Sequence, residues 1–389
     1  MKTQHSPQVK NFPQPPSFEL YNDEIDLKEL FMALWKGKVT IILCTVVFAI
    51  GAVIYALTAQ EWWSSKAKIM IPQVHNFSEY QEQVKQYQPI FDIYQDDGTV
   101  LVSDALDSLV DSEVLFQNFI SAYNSSNNKK KFLDGNAEFQ AFKAQLDTDT
   151  NTDTNTDTNT DINKKEATRK LYSGWFQKIS AVATDKKSIM SPYSIRLQAT
   201  TKESSYTLLN EYITSVKSVV FNDALNNLQA MVNGKRHELR QQKTILETQA
   251  RNRLAVEIER SQYALDIAKA AEVNKPIQNM GSNELFAIEL GAQALNAKIK
   301  ALKSVKNLTV IEPRLQQIDA KLEMLKSMNI DRDIKFQTFR YLENVEQPFS
   351  RDKPNRVSIV VFWTLLGGIL GVAIVLVRFA FRKESEIDS

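Results

Sequence analysis

The chain has 389 residues, 43% of them hydrophobic and 24% charged, with 47 Lys and Arg against 46 Asp and Glu. A net charge of +1 removes the electrostatic basis for binding nucleic acid, which needs a surplus of clustered cations. One cysteine excludes a disulfide framework and a cysteine-rich zinc module, and His5, His75 and His237 fall in no ligand spacing.

Residues 1–22 carry Pro7, Pro13, Pro15 and Pro16 with little periodicity, so a mobile tail is expected there. From Asp23 onward Ile25, Leu27, Leu30, Phe31 and Leu34 recur at helical spacing, which predicts a short amphipathic helix at a membrane surface. Residues 39–59 and 357–377 then stand out as two runs without a charged side chain. A helix of that length spans about 31 Å, against about 30 Å for the hydrocarbon core of a bilayer. The first run is too long and too far from the N-terminus for a cleaved signal, so two retained spans are expected. Trp35, Trp62 and Trp63 sit where interfacial aromatic belts form, and Cys44 reads as a small apolar residue within the first span. Lys36, Lys38, Arg378, Arg382 and Lys383 place residues 1–38 and 378–389 in the cytoplasm, with residues 60–356 on the other side. Arg351, Lys353 and Arg356 crowd the outer end of the second span, but so long a loop crosses regardless of charge.

Inside that loop, residues 66–71 suggest a strand. Residues 103–123 suggest a helix, from Leu106, Leu109, Val110, Val114, Phe116 and Ile120. Residues 147–161 read DTDTNTDTNTDTNTD, with nothing to bury, and are expected to be a disordered insertion. The repeat lacks the Gly turn and terminal Glu of a calcium loop, so a surface insertion is the preferred reading. Residues 193–199 alternate as a strand, and Thr200, three residues before Glu203, has the spacing of a helix cap. Helical patterning over 202–275 predicts a rod about 110 Å long, with Gly234 the expected bend. After a turn at 276–281 and a cap at Asn283, Leu285, Ile288, Ala292, Leu295, Ile299 and Leu302 recur as a coiled-coil seam. Pro313 opens a further helix through Leu315, Ile318, Leu322 and Leu325, and residues 334–341 read as a strand.

No GxxxxGK[ST], GxSxG, HExxH or CxxC occurs, so no catalytic centre, cofactor or metal is expected. Glu257, Glu259, Asp319 and Glu323 lie among Lys and Arg on helices and read as solvated ion-pairing faces, and His237 as a surface residue. Gly367, Gly368 and Gly371 include the Gly367-x-x-x-Gly371 spacing that lets helices approach closely in a bilayer. The fold class expected is an α+β membrane protein, two transmembrane helices flanking a periplasmic domain with a small α/β base and a long helical hairpin.

Two blocks carry a resemblance. NDEIDLKELFMALWKGK at residues 22–38, running into a span and then EWWSSKAKI, resembles the entry segment of the Wzz-type chain-length determinants, the class 1 polysaccharide co-polymerases of Gram-negative inner membranes. The block Pro348-Phe-Ser-Arg-Asp-Lys-Pro354-Asn355-Arg356, leading to Gly367, Gly368 and Gly371, is similar to that family's proline-rich hallmark. Lys353, Asn355 and Val345 depart from the pattern, and the Thr/Asp/Asn repeat is an addition to it. The resemblance implies a non-enzymatic inner-membrane protein that forms a homo-oligomeric ring. It also implies that the ring acts with a Wzy-type polymerase on a lipid-linked polysaccharide to set O-antigen length. On that reading Leu285, Ile288, Leu295, Ile299 and Leu302 join neighbouring protomers, and Gly367 and Gly371 pack against another copy or the polymerase. The alternatives are a two-span periplasmic sensor and a co-polymerase for capsule or common antigen.

Overall fold

Both apolar runs are helices and residues 193–199 are a strand in the computed structural model, which describes residues 27–95, 97–149, 159–185, 187–188, 191–277, 286 and 288–387. The expected tail at 1–22, the repeat residues 150–158, and Asn283 and Leu285 lie outside the described residues. Helices α1 (Leu27–Lys36) and α2 (Lys38–Thr58) precede strand β1 (Trp63–Met70), helices α3 (Ser78–Gln86) and α4 (Gln88–Phe91), and the two short strands β2 (Ile93–Tyr94) and β3 (Val100–Leu101). Next come α5 (Ser112–Asn124), α6 (Ser126–Asp134), α7 (Ala137–Asp149), α8 (Asn159–Lys178), β4 (Ile179–Ala183) and β5 (Tyr193–Ala199). Helices α9 (Lys202–Ala270), α10 (Gly291–Lys303) and α11 (Arg314–Ser327), strand β6 (Arg340–Glu346) and helix α12 (Arg356–Ile387) complete the chain. These elements fall into two units, Met1–Trp62 with Arg351–Ser389, and Trp63–Ser350.

In the second unit an antiparallel sheet runs β4-β5-β1-β6. Ile195, Leu197 and Ala199 are buried while Arg196 points out, the period of two that residues 193–199 announce. Leu209, Tyr212, Ile213 and Val216 near the start of α9 are buried too. Ser65 of β1 and Ser205 of α9 hydrogen-bond through their hydroxyls at 3.0 Å, so this buried polar pair satisfies itself. Further along α9, Leu225, Leu228, Val232 and Leu239 share a core with Tyr80, Val84 and Phe91 from α3 and α4 and with Ile318 and Leu325 from α11. Full burial of each such aliphatic or Phe side chain contributes about 1.5–3 kcal/mol.

Helix α9 is 69 residues long, about 100 Å, and no proline interrupts it. Its cap is Thr201, not Thr200: the Thr201 hydroxyl accepts from Ser204 N at 3.0 Å, while Thr200 N donates to Glu138 Oε1 at 2.8 Å. The helix runs unbroken through Gly234, the expected site of a bend. An interior glycine costs about 1 kcal/mol, less than the burial of the nearby Val232 and Leu239 supplies. The helix stops at Ala270 rather than residue 275, because a complete C-terminal capping motif closes it. Glu272 takes a left-handed φ of 59°, its N–H bonds to Lys269 O at 3.2 Å, and Val273 N–H bonds back to Ala268 O at 2.8 Å.

Beyond that cap, Ala292 N–H donates to Val273 O and Ile277 N–H to Glu289 O, both at 2.9 Å, which returns the chain toward α10. Gly291 is required here: its φ is +74°, and a Cβ would lie 2.7 Å from the backbone carbon of Lys275. At the start of α11 the buried carboxylate of Glu312 accepts from Arg253 of α9 at 2.7 Å and from Arg314 at 2.5 Å. The Arg314 hydrogen bond above all holds this carboxyl below the usual carboxylate range. Its stabilisation is therefore present at neutral pH and lost as pH falls through the lowered folded value.

Three other expectations are corrected. The helix expected over 103–123 begins at Ser112, where Asp111 accepts from Glu113 N at 2.8 Å and Val114 N at 3.0 Å. The strand expected over 334–341 is Arg340–Glu346, and the extended residues before it serve the core: Phe336 stacks on Tyr80 at 4.5 Å and Phe339 is fully buried. The repeat is not wholly outside regular structure, since residues 147–149 end α7 and residues 159–161 begin α8.

Candidate functional site in the paired membrane helices

Lys38–Thr58 and Arg356–Phe381 are both long and apolar enough to cross a bilayer. Val39, Leu43 and Val47 of α2 and Phe362, Leu365 and Ile369 of α12 stand exposed, an apolar surface suited to hydrocarbon. The two helices meet along their small residues. A Cβ on Gly371 would lie 2.9 Å from Ile41 Cα, and one on Gly367 would lie 2.7 Å from Phe48 Cβ and 3.2 Å from Cys44 O. Ala52 and Ala56 of α2 are buried as well. At the opposite end of the pair, a Cβ on Gly37 would run into the Val375 side chain. Gly368 differs, since a Cβ there would meet only Thr45 Oγ1 at an ordinary 3.8 Å and would point into an apolar groove of about 660 Å³. Thr45 and Thr364 on that groove bond to their own helix, at Ile41 O (2.8 Å) and Val360 O (2.6 Å), so neither hydroxyl is left unsatisfied in an apolar setting.

A polar clasp closes this unit beyond the helix ends. Glu61 Oε1 accepts from Arg351 at 3.0 Å and from Arg356 at 2.8 Å, and each of the three side chains is 31% exposed. Arg356 Nε also donates to Ala56 O at 3.0 Å, placing a cation against the last turn of α2, where the helix dipole is negative. Trp62 N donates to Lys353 O at 3.0 Å and Asp352 N to Trp62 O at 2.8 Å, a short antiparallel bridge. Lys353–Pro354 is a cis peptide, and Asn355 Oδ1 accepts from Ser358 N at 3.4 Å at the start of α12.

Glu61→Ala leaves two guanidiniums facing each other and is expected to weaken the clasp by about 1–2 kcal/mol, between the values for exposed and buried pairs. Hydrogen exchange at the Trp62 and Asp352 amides reports it directly, with about tenfold faster exchange for each 1.4 kcal/mol. Exchange rates equal to those of the unaltered chain refute the assignment.

The structure thus gathers Gly367, Gly371, Pro354, Asn355 and Arg356 in one unit, while Pro348 belongs to the other. It also gives two sets of residues neighbours within the chain. Gly367 and Gly371 approach α2 of the same chain. Leu295 and Ile299 are buried with Ala264, Leu265 and Ala268 of α9, Ile288 packs on the same cluster and Leu302 is half-buried, so the seam joins α10 to α9 within the chain. The sequence reading missed Glu61 as the partner of Arg351 and Arg356. The signal was present: one acidic residue just beyond the first span, and three cations just before the second.

Comparison with known proteins bears on this arrangement. Residues 23–146 match the family model Wzz, described as chain length determinant protein. Relatives align almost end to end. The chain length determinant protein of Escherichia coli (strain K12) is 26% identical over 366 residues, 93% of this chain and 94% of that protein. The ECA polysaccharide chain length modulation protein of the same strain is 24% identical over 94% of this chain and 97% of its own length. The protein named ferric enterobactin transport protein FepE, also from that strain, is 23% identical over 97% and 94%. A solved full-length bacterial polysaccharide co-polymerase superposes with a TM-score of 0.57 at 25% identity, covering 92% of this chain and 99% of that one.

The resemblance to the Wzz chain length determinants is thus carried by a family-model match at residues 23–146 and by relatives aligned along nearly the whole chain. A Wzz chain regulates polymer length and is not an enzyme. In this chain the candidate site is a packing surface, formed by the helix pair and its clasp. Glu257, Glu323 and Asp319, the carboxylates that could have suggested acid–base chemistry, are in fact ion-paired with Lys298, Lys326 and Lys243.

Proposed function

We propose that this chain sets the modal length of O-antigen in lipopolysaccharide biosynthesis, as a homo-oligomeric ring acting with a Wzy-type polymerase on lipid-linked polysaccharide in the bacterial inner membrane. Residues 60–356 lie in the periplasm and both termini in the cytoplasm. The observation that supports this reading is the likeness to a full-length polysaccharide co-polymerase over 92% of the chain. The cations that flank α2 and α12 at their outer chain ends support the orientation.

The experiment is a gel of lipopolysaccharide from a strain lacking the chain and from the same strain with it restored. Loss and return of a modal band of long O-antigen is the expected result. A ladder unchanged by deletion overturns the reading, and a change confined to common antigen or capsule moves the role to that polymer.

A further inference from the structure

A second feature lies far along the chain from the membrane helices, in the unit Trp63–Ser350. A cleft of about 460 Å³ opens where α9, α11 and the β2–β3 hairpin meet, within the size range of small-ligand sites. Its apolar lining includes Leu239, Leu246 and Ile318, and Gln242, Gln249 and Gln317 line it too. Two lysines, Lys235 and Lys321, enter the same space.

The charges there are unevenly matched. Lys235 is paired with Glu238, at 3.0 and 3.1 Å to its two oxygens, and Gln242 donates to the same carboxylate at 2.9 Å. The buried carboxylate of Asp92 is occupied by Gln88 at 2.6 Å and by the Ser103 amide at 3.0 Å. Arg314 is held by Glu312 at 2.5 Å. Lys321 alone of these cations has no carboxylate within ion-pair distance among the described residues. Its ammonium donates to the backbone oxygen of Asp92 at 2.5 Å and lies 5.3 Å from the centre of the Tyr94 ring. An ammonium carries three donors, so two remain for a ligand. Burial, and then the charge of Lys235, push its pKa down from the ordinary lysine value against the opposing pull of Asp92 and Glu238, and an incoming anion favours the charged ammonium.

We propose that this cleft binds an acidic saccharide unit, its carboxylate on the Lys321 ammonium, its C–H face on Leu239, Leu246 and Ile318, and its hydroxyls on the glutamine amides. A carboxylate accepts the charge-assisted hydrogen bonds that the committed side chains cannot accept. A sugar ring, apolar on its faces and polar at its rim, fits a lining of that mixed kind. The choice of a saccharide over another organic anion rests on the proposed role in polysaccharide growth.

The test uses the full-length chain in detergent and saturation-transfer NMR titrations with galacturonate, galactose and inorganic phosphate. Galacturonate is expected to bind more tightly than galactose, and Lys321→Gln to weaken it about tenfold, the order of one charge-assisted hydrogen bond. Lys321→Arg should restore most of the binding, and Lys326→Gln on the same helix should leave it unchanged. A circular dichroism melt matched to the unaltered chain shows that the variants fold. Galacturonate binding no better than galactose, phosphate binding as well as galacturonate, or full binding by Lys321→Gln would each overturn the inference. Failure here with an intact modal band defeats the saccharide site alone, whereas a ladder indifferent to deletion of the chain defeats the proposed function.

Discussion

Gly371→Leu is expected to force α2 and α12 apart and to replace a sharp modal band by a broad ladder. The reason is steric and local. The first added carbon would already stand 2.9 Å from Ile41 Cα and 3.3 Å from Ile41 O, both backbone atoms that no rotamer change can move aside. Overpacking of this kind costs about 1–3 kcal/mol, and a whole isobutyl group against backbone belongs at the upper end. Gly367→Leu meets Phe48 and Cys44 and should act alike. Gly368→Leu is the discriminating control, because its neighbour is a hydroxyl at 3.8 Å and the apolar groove has room for the side chain. Separation of the pair can be read from spin labels placed on exposed residues of each helix, such as Leu43 and Leu365, in the chain reconstituted in bilayers. Equal label distances in Gly371→Leu and the unaltered chain would contradict the close approach.

The second large effect is expected in the second unit. Leu295 is 1% exposed in a small cluster with Ala264, Leu265, Ala268, Ala292 and Ile299. Leu295→Ala removes its most deeply buried large side chain, and truncations of this type cost about 2–5 kcal/mol. So small a satellite core has few other contacts to absorb the loss. Helix α10 should therefore lose hydrogen-exchange protection by two orders of magnitude or so, while amides near Leu225 and Leu228, in the separate larger core, stay protected. If Leu295 served chiefly to join protomers, the variant would dissociate the assembly and leave α10 protection as it was.

Both predictions involve motifs that are visible in the sequence with partners that are not. The spacing of Gly367 and Gly371 states that some backbone comes close. It does not say which, and small or packing residues on α2 at 44, 48, 52 and 56 form the matching stripe at four-residue steps. The heptad-like run through Leu295 and Ile299 likewise announces a helix neighbour, and α9 of the same chain is long enough to be it. The two spans, the alternation of residues 193–199 and a proline-free α9 were legible because one strong term, apolar burial at a single period, sets each of them. Strand β4 was not, since ISAVA is short and its Ala and Ser residues carry little strand preference. Residues 334–339 mislead for the opposite reason: their aromatic alternation is real, but it fills a core instead of joining a ladder. The cleft at Lys321 is assembled from residues more than two hundred positions apart, beyond the reach of any local pattern.

The pairing of β1 with β6 has a consequence for how the membrane hairpin comes to exist. About 300 residues separate Thr58 from Arg356, so each transmembrane segment would find the other only after closing a very large loop. With Lys66 held opposite Glu346, the connection shrinks to eight residues on one side and ten on the other. That shortening lowers the entropic barrier to their meeting by about 2–3 kcal/mol. During biogenesis the second transmembrane segment therefore gains its mate most readily once the first and last strands of the exported domain have paired, and a lesion at that ladder would be felt as unpaired helices in the lipid.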